Sequence, residues 1–147
     1  MYKNILVLLD GSRRAERILA HVEQFALQMG SRLILLRVIE PDFGGAGTQG
    51  TPAEFFLDAI QRKMAEAEEY LAGKQGELRQ GGMSVRTLVE SGPVVTTITD
   101  VAMRENVDLV AMASHGRGGL VRVFYGSVAV GVLNKIDRPL LLVRADD

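Results

Sequence analysis

The sequence predicts an α/β fold with a five-stranded parallel sheet of strand order 3-2-1-4-5 and helices on both faces. Five short apolar runs alternate with four stretches of helical period along the 147 residues. Most of the runs are continuously apolar, which is typical of strands covered on both faces. Right-handed crossovers leave few other topologies. No linker divides the chain, so we expect one domain over residues 1–147.

The predicted strands are the apolar runs 5–9, 33–39, 83–90, 109–112 and 140–143. The third run alternates apolar and polar residues and contains Arg86, which favours an edge strand. The fifth run would form the other edge, yet Leu140 to Val143 are all apolar. Since an exposed apolar edge invites pairing, we expect a homodimer that covers this strand.

The four helices follow from apolar residues at three- and four-residue steps. The first begins at Ser12 and stops at Gly30, and the third opens behind Pro93. The second runs from about residue 56 to the glycine pair 81–82. The apolar face of the last helix consists of Val121, Phe124, Val128 and Val132. A glycine-rich loop at 42–51 is either a lid over a site or a simple connector.

Composition excludes several classes of function. A net charge of −1 argues against a nucleic-acid binder, which needs a basic surface. No apolar run approaches the roughly 18 residues of a membrane span, and no signal-peptide pattern opens the chain. With no cysteine there is no disulfide, thiol nucleophile or thiolate metal site. We therefore expect a cytoplasmic protein.

Residues 112–129 follow the fourth strand and combine several glycines with the start of a helix. Backbone N–H groups near Gly116 and Gly126, with the Ser127 hydroxyl, could form a phosphate cradle. The alternative is a turn-rich connection in which Ser127 only caps the helix. Neither a P-loop nor a GxGxxG pattern is present. The spacing alone leaves both interpretations open.

Asp10 ends the first strand at the edge where ligands bind in this topology, beside residues 113–119. It could accept from a ribose hydroxyl or an adenine amine, help to hold a metal ion, or simply bond the N–H groups of its turn. His115 is interpreted as a loop residue near the ligand, since it and His21 make a weak metal site. No serine triad is visible.

At these residues the chain resembles the universal stress protein family. The resemblance spans nearly the whole length, through the opening strand with its Asp-Gly-Ser turn (5–12), the run 36–38 and the closing segment 138–143. Its most specific part is the family's ATP motif, which here reads Gly116, nine residues, Gly126 and Ser127. Ala113 replaces the first motif glycine, Leu8 stands where many members have proline, and Val130 stands where glutamate is common.

The resemblance implies a Rossmann-like fold of the adenine nucleotide alpha hydrolase type that binds ATP, with Mg²⁺ or Mn²⁺ accompanying the phosphates. Asp10 and the Val38 backbone would hold adenine and ribose. The other implied binding residues are Leu8, Met112, Ala113, Ser114 and His115 near the nucleoside, and Gly116, Arg117, Gly126, Ser127, Val128 and Ala129 around the phosphates. No dedicated metal ligands and no catalytic residues are evident.

The leading hypothesis is an ATP-binding homodimer that acts as a stress-response or signalling module, with slow or no hydrolysis and an unknown protein partner. One alternative is a true ATP-hydrolysing enzyme. Another is a nucleotide-free dimerisation or interaction protein, which the substitution at Ala113 keeps open. Flavin binding is disfavoured because the chain has no tryptophan and few aromatic residues to stack on a ring.

Overall fold

The computed structural model describes residues 1–41, 53–116 and 126–146. Five strands and four helices alternate within these ranges. In chain order they are β1 (Asn4–Leu8), α1 (Arg13–Met29), β2 (Arg32–Ile39), α2 (Ala53–Gln80), β3 (Ser84–Ser91), α3 (Val94–Arg104), β4 (Leu109–Gly116), α4 (Ser127–Lys135) and β5 (Leu140–Asp146). The predicted loop at 42–51 and the predicted helical positions Val121 and Phe124 lie outside the described residues.

All five strands are parallel and follow the order β3-β2-β1-β4-β5. The predicted fold class and strand order are therefore confirmed. β1 lies at the centre, where Ile5 pairs with Leu33 of β2 on one side and with Leu109 of β4 on the other. β3 is an edge strand, as the alternating sequence with Arg86 predicted.

Alternate residues of each strand enter two separate cores, because successive side chains point to opposite faces of a sheet. Ile5 and Val7 pack beneath α1 and α2, whereas Leu6 packs beneath α3 and α4. Ile5 to Val7 of β1 and Leu33 to Leu36 of β2 are almost fully excluded from solvent, so both faces of these central strands are covered. Burial on both faces explains why the sequences of these strands are continuously apolar.

The boundaries of α1 agree with its predicted start and stop signals. The Ser12 hydroxyl accepts from the Ala15 N–H at 3.1 Å, which caps the helix, and Gly30 ends it in the left-handed conformation. α3 begins directly after Pro93, as predicted. These local signals act within a few residues, so they can be read from the sequence.

β4 is longer than the predicted run 109–112, because Val110 to Gly116 pair residue by residue with Leu140 to Asp146 of β5. The prediction that His115 lies in a loop is therefore wrong, since it lies on β4 opposite Ala145. Hydrogen bonds to β5 satisfy the backbone N–H and C=O groups of residues 113–116. This stabilisation comes from a strand that is distant in sequence, so the composition of residues 113–116 does not predict it.

Candidate functional site

A cleft of about 270 Å³ opens at the carboxyl ends of β1, β2 and β4. This is the point where the chain connections leave β1 and β4 in opposite directions, the usual ligand position in open α/β sheets. The residues that line it are Leu8, Leu9, Asp10, Arg14, Ala15, Leu36, Val38, Val94, Ile98, Met112, Ala113, Gly126, Ser127, Val128 and Ala129. The cleft walls are thus mostly apolar, with a few polar groups.

Three helices begin at this cleft. The first turns of α1, α3 and α4 contribute Arg14, Val94 and Ser127 to its lining. The N-terminal end of a helix carries unsatisfied N–H groups and a partial positive charge. Their convergence favours a negatively charged ligand group in the cleft.

Asp10 is held at the cleft by the turn between β1 and α1. Its Oδ1 accepts from the Ser12 N–H at 2.8 Å, and Gly11 adopts a φ of +88° that L-residues with a side chain rarely adopt. Partial burial works to raise the pKa of Asp10, but the Ser12 hydrogen bonds and the charges of Arg14 and Arg37 outweigh it. The net lowered pKa keeps this carboxylate ionised and able only to accept.

The prediction that Asp10 bonds an N–H group of its own turn is therefore confirmed for one carboxylate oxygen, Oδ1. The side chain is still 59% exposed, and its Oδ2 lies 3.8 Å from Arg14 Nη2. Its acceptor role toward a ribose hydroxyl or an adenine amine stays a prediction.

Nine of the thirteen residues that the sequence assigned to binding line this one cleft. They are Leu8, Asp10, Val38, Met112, Ala113, Gly126, Ser127, Val128 and Ala129. His115 and Gly116 lie on β4 beyond it, and Arg117 lies outside the described residues. The structure thus gathers residues from three separated parts of the chain, while their contacts with a ligand remain predictions.

Ser114 is the remaining predicted site residue. It is 1% exposed, and its Oγ has no hydrogen-bond partner within the described part of the chain. Strand alternation puts it on the same face of β4 as Met112, which lines the cleft. A buried hydroxyl without a partner is unfavourable, but Ser114 is not among the residues that line the cleft, so its contact with a ligand stays a prediction.

Sequence reasoning missed Arg14, which lines the cleft from the first turn of α1. It also missed Val94 and Ile98, one turn apart on α3. A signal was present for Arg14 and Val94, because each lies in the first turn of a helix that begins at the carboxyl edge of the sheet, where ligands bind. The first-turn residues of every such helix are therefore candidate lining residues.

No group of three or more histidine, cysteine or carboxylate side chains is placed to hold a metal ion within residues 1–41, 53–116 and 126–146. Over the same ranges, no helix has the length and apolar character needed to cross a bilayer.

The comparisons with known proteins agree on one family. The model of the universal stress protein family matches residues 1–144. Universal stress protein MJ0577 from Methanocaldococcus jannaschii is 31% identical over 155 residues, covering 98% of this chain and 96% of its own length. A universal stress protein from Thermus aquaticus is also 31% identical, over 98% of this chain and all of its own length.

The solved structures support the same fold. The structure of MJ0577 superimposes with a TM-score of 0.84 and covers 100% of this chain and 99% of that one. A universal stress protein from Archaeoglobus fulgidus in complex with dAMP, 22% identical, gives a TM-score of 0.68 and covers 96% of this chain and 97% of its own. The structure of a universal stress protein in complex with cAMP is 20% identical to this chain, with a TM-score of 0.62, and covers 98% of this chain and 98% of its own.

Proposed function

This chain belongs to the universal stress protein family, and from that premise we propose that it binds ATP in the cleft between β1 and β4. The observation that carries the proposal is the meeting of Asp10 and the Gly126–Ser127 helix start in one apolar cleft at the topological switch point. The dAMP and cAMP complexes of structurally similar proteins support an adenine nucleotide as the ligand class.

The nucleoside end of the ligand suits the apolar part of the cleft. Leu8, Val38 and Met112 offer apolar surface to a base, and ionised Asp10 offers an acceptor to a hydroxyl or amine. The volume of about 270 Å³ is close to the lower end of the roughly 300–1,000 Å³ range of small-molecule sites. The buried Ser114 hydroxyl would gain the hydrogen bond that it lacks within the described residues.

The start of α4 is suited to bind the phosphate end of the nucleotide. Gly126 precedes the helix with a φ of +81°, and Ser127 to Ala129 follow as its first turn with their N–H groups unpaired by the helix itself. This arrangement supports anion binding by backbone groups. We propose that Mg²⁺ or Mn²⁺ enters with the phosphates, which is the usual way in which nucleotide-associated Mg²⁺ is held.

We propose slow or no hydrolysis of the bound ATP. Phosphoryl transfer requires a group that orients the attacking water and several charges around the transferred phosphate. Asp10 and Arg14 are the charged side chains on the described lining, and one Asp10 oxygen is engaged by its own turn. This lining is better suited to holding a nucleotide than to activating a water.

We also propose that two copies associate through β5 and act as a cytoplasmic stress-response or signalling module. β5 pairs with β4 on one side and forms the edge of the described sheet. Leu140 to Val143 are all only partly buried there. A second copy would cover apolar surface and pair the free strand edge.

The decisive experiment is to denature the purified protein with acid and identify any released nucleotide by chromatography and mass, followed by calorimetric titration of nucleotide-free protein with ATP. We expect adenine nucleotide in the extract and saturable binding on titration. Intact ATP after prolonged incubation with Mg²⁺ would support binding without turnover, whereas steady phosphate release would favour an enzyme. Nucleotide-free protein that gives no heat with ATP would contradict the proposal.

A further inference from the structure

Arg14 brings positive charge to the cleft from a position that the glycine motif does not include. It is the second residue of α1, and it lines the same cleft as Gly126 and Ser127. Its side chain is 17% exposed, so most of it is covered by the walls around it. Within the described lining, Arg14 is the cation and Asp10 is the anion.

This pairing of charges matters for a phosphorylated ligand. Asp10 is ionised and 59% exposed, so by itself it would repel an approaching phosphate group. The helix N-termini supply only partial charges. Arg14 offsets the carboxylate, and its guanidinium can donate two parallel hydrogen bonds to a phosphate.

We propose that Arg14 binds the phosphate chain of the nucleotide and sets the preference of this cleft for phosphorylated over unphosphorylated adenine ligands. The inference rests on the proposed function and adds a binding residue to it. ATP then binds more tightly than adenosine largely because Arg14 faces the added negative charge.

The ion pair with Asp10 leaves Arg14 on the wall of the cleft. Arg14 Nη2 and Asp10 Oδ2 are 3.8 Å apart, close to the limit for an ion pair, and the carboxylate is largely in solvent. Because most of the Arg14 side chain is covered, its replacement also affects packing. The test therefore compares adenosine with ATP, since a purely structural loss would weaken the binding of both ligands alike.

The test is calorimetric titration of nucleotide-free protein with adenosine, AMP and ATP, each without and with Mg²⁺. The variants are Arg14→Met, Arg14→Lys and the matched control Arg13→Met, which removes the same charge from the neighbouring exposed residue. Thermal unfolding of every variant checks that each is folded.

We expect Arg14→Met to lower the affinity for ATP by about 10- to 100-fold while the affinity for adenosine stays within about twofold. Arg13→Met should leave both affinities unchanged. Arg14→Lys should retain part of the preference for ATP, because it keeps the charge but loses the two parallel hydrogen bonds of the guanidinium. Equal losses for adenosine and ATP, or no loss in Arg14→Met, would each overturn the inference. Failure of the proposed function is distinguished because the parent protein would then bind none of the three ligands.

Discussion

The guanidinium of Arg37 occupies the space in which a side chain at Gly11 would begin. Arg37 Nη1 lies 2.5 Å from the position that a Cβ at Gly11 would take. The Arg37 Cζ atom in turn lies 5.8 Å from the centre of the Tyr70 ring on α2, and the Tyr70 hydroxyl donates to Glu16 Oε2 at 2.5 Å. The turn that presents Asp10 to the cleft is therefore supported from behind by side chains of β2, α1 and α2.

Gly11→Ala tests this support. We expect a loss of about 2 kcal/mol in the free energy of unfolding, since the new methyl group must displace Arg37 and the residue must keep a positive φ. Gly30→Ala is the control, because Gly30 also has a positive φ but nothing lies within 4 Å of its Cβ position. It should cost only about 1 kcal/mol. Equal losses in urea unfolding followed by circular dichroism would show that Arg37 moves aside freely.

Gly126→Val tests the phosphate end of the cleft. The branched side chain would obstruct the start of α4 and strain a residue with a φ of +81°, so we expect the affinity for ATP to fall by about 100-fold or more. Gly82→Val provides matched backbone strain at a φ of +90°, in the turn before β3 at the opposite end of the sheet. It should destabilise the fold yet leave the affinity of the folded protein unchanged. Gly126→Val that binds ATP as tightly as the parent would refute this assignment.

The hydrogen bond from Tyr70 to Glu16 is expected to make the free energy of unfolding depend on pH. Burial works to raise the pKa of Glu16, but hydrogen bonds from Tyr70 and Lys74 and the charge of Lys74 outweigh it and lower the pKa below 4.5. Because the folded pKa is the lower one, ionised Glu16 contributes stability above pH 4.5 that is lost as the pH falls through the folded value. Urea midpoints for Glu16→Gln should therefore fall less steeply in acid than those of the parent.

Tyr70→Phe extends the same test, because it removes the hydrogen bond and leaves the carboxylate in place. We expect the urea midpoint of Tyr70→Phe to fall less steeply in acid than that of the parent. It should still fall more steeply than that of Glu16→Gln, because Lys74 still pairs with Glu16 at 3.0 Å. An unchanged slope in both variants would mean that this bond does not survive in solution.

The fifth strand is the proposed interface between two copies. We expect sedimentation equilibrium to report a dimer at micromolar concentration and Leu141→Lys to shift it toward monomer, because the added charge disfavours burial of the strand edge. Leu27→Lys adds the same charge at a residue of α1 that is already 57% exposed, and it should leave the assembly unchanged. A monomeric parent protein would show that the edge of β5 stays unpaired.

The sequence by itself determined the fold class, the strand order, the limits of α1 and the edge of the sheet at which the cleft opens. Continuous apolar runs, helical periodicity, Ser12 and Gly30 act locally, and handedness rules then restrict how the elements connect. Asp10 and the pair Gly126–Ser127 could be placed at one edge because the carboxyl ends of parallel strands meet there.

Only the tertiary structure decided which other side chains join the cleft and where β4 ends. Ile98 reaches the cleft from the second turn of α3 through the way that this helix packs on the sheet, and His115 lies on β4 because β5 pairs alongside it. The Arg37 side chain lies against Gly11, which stands 26 positions earlier in the sequence. Such contacts depend on packing between distant segments, and no local pattern of residues encodes them.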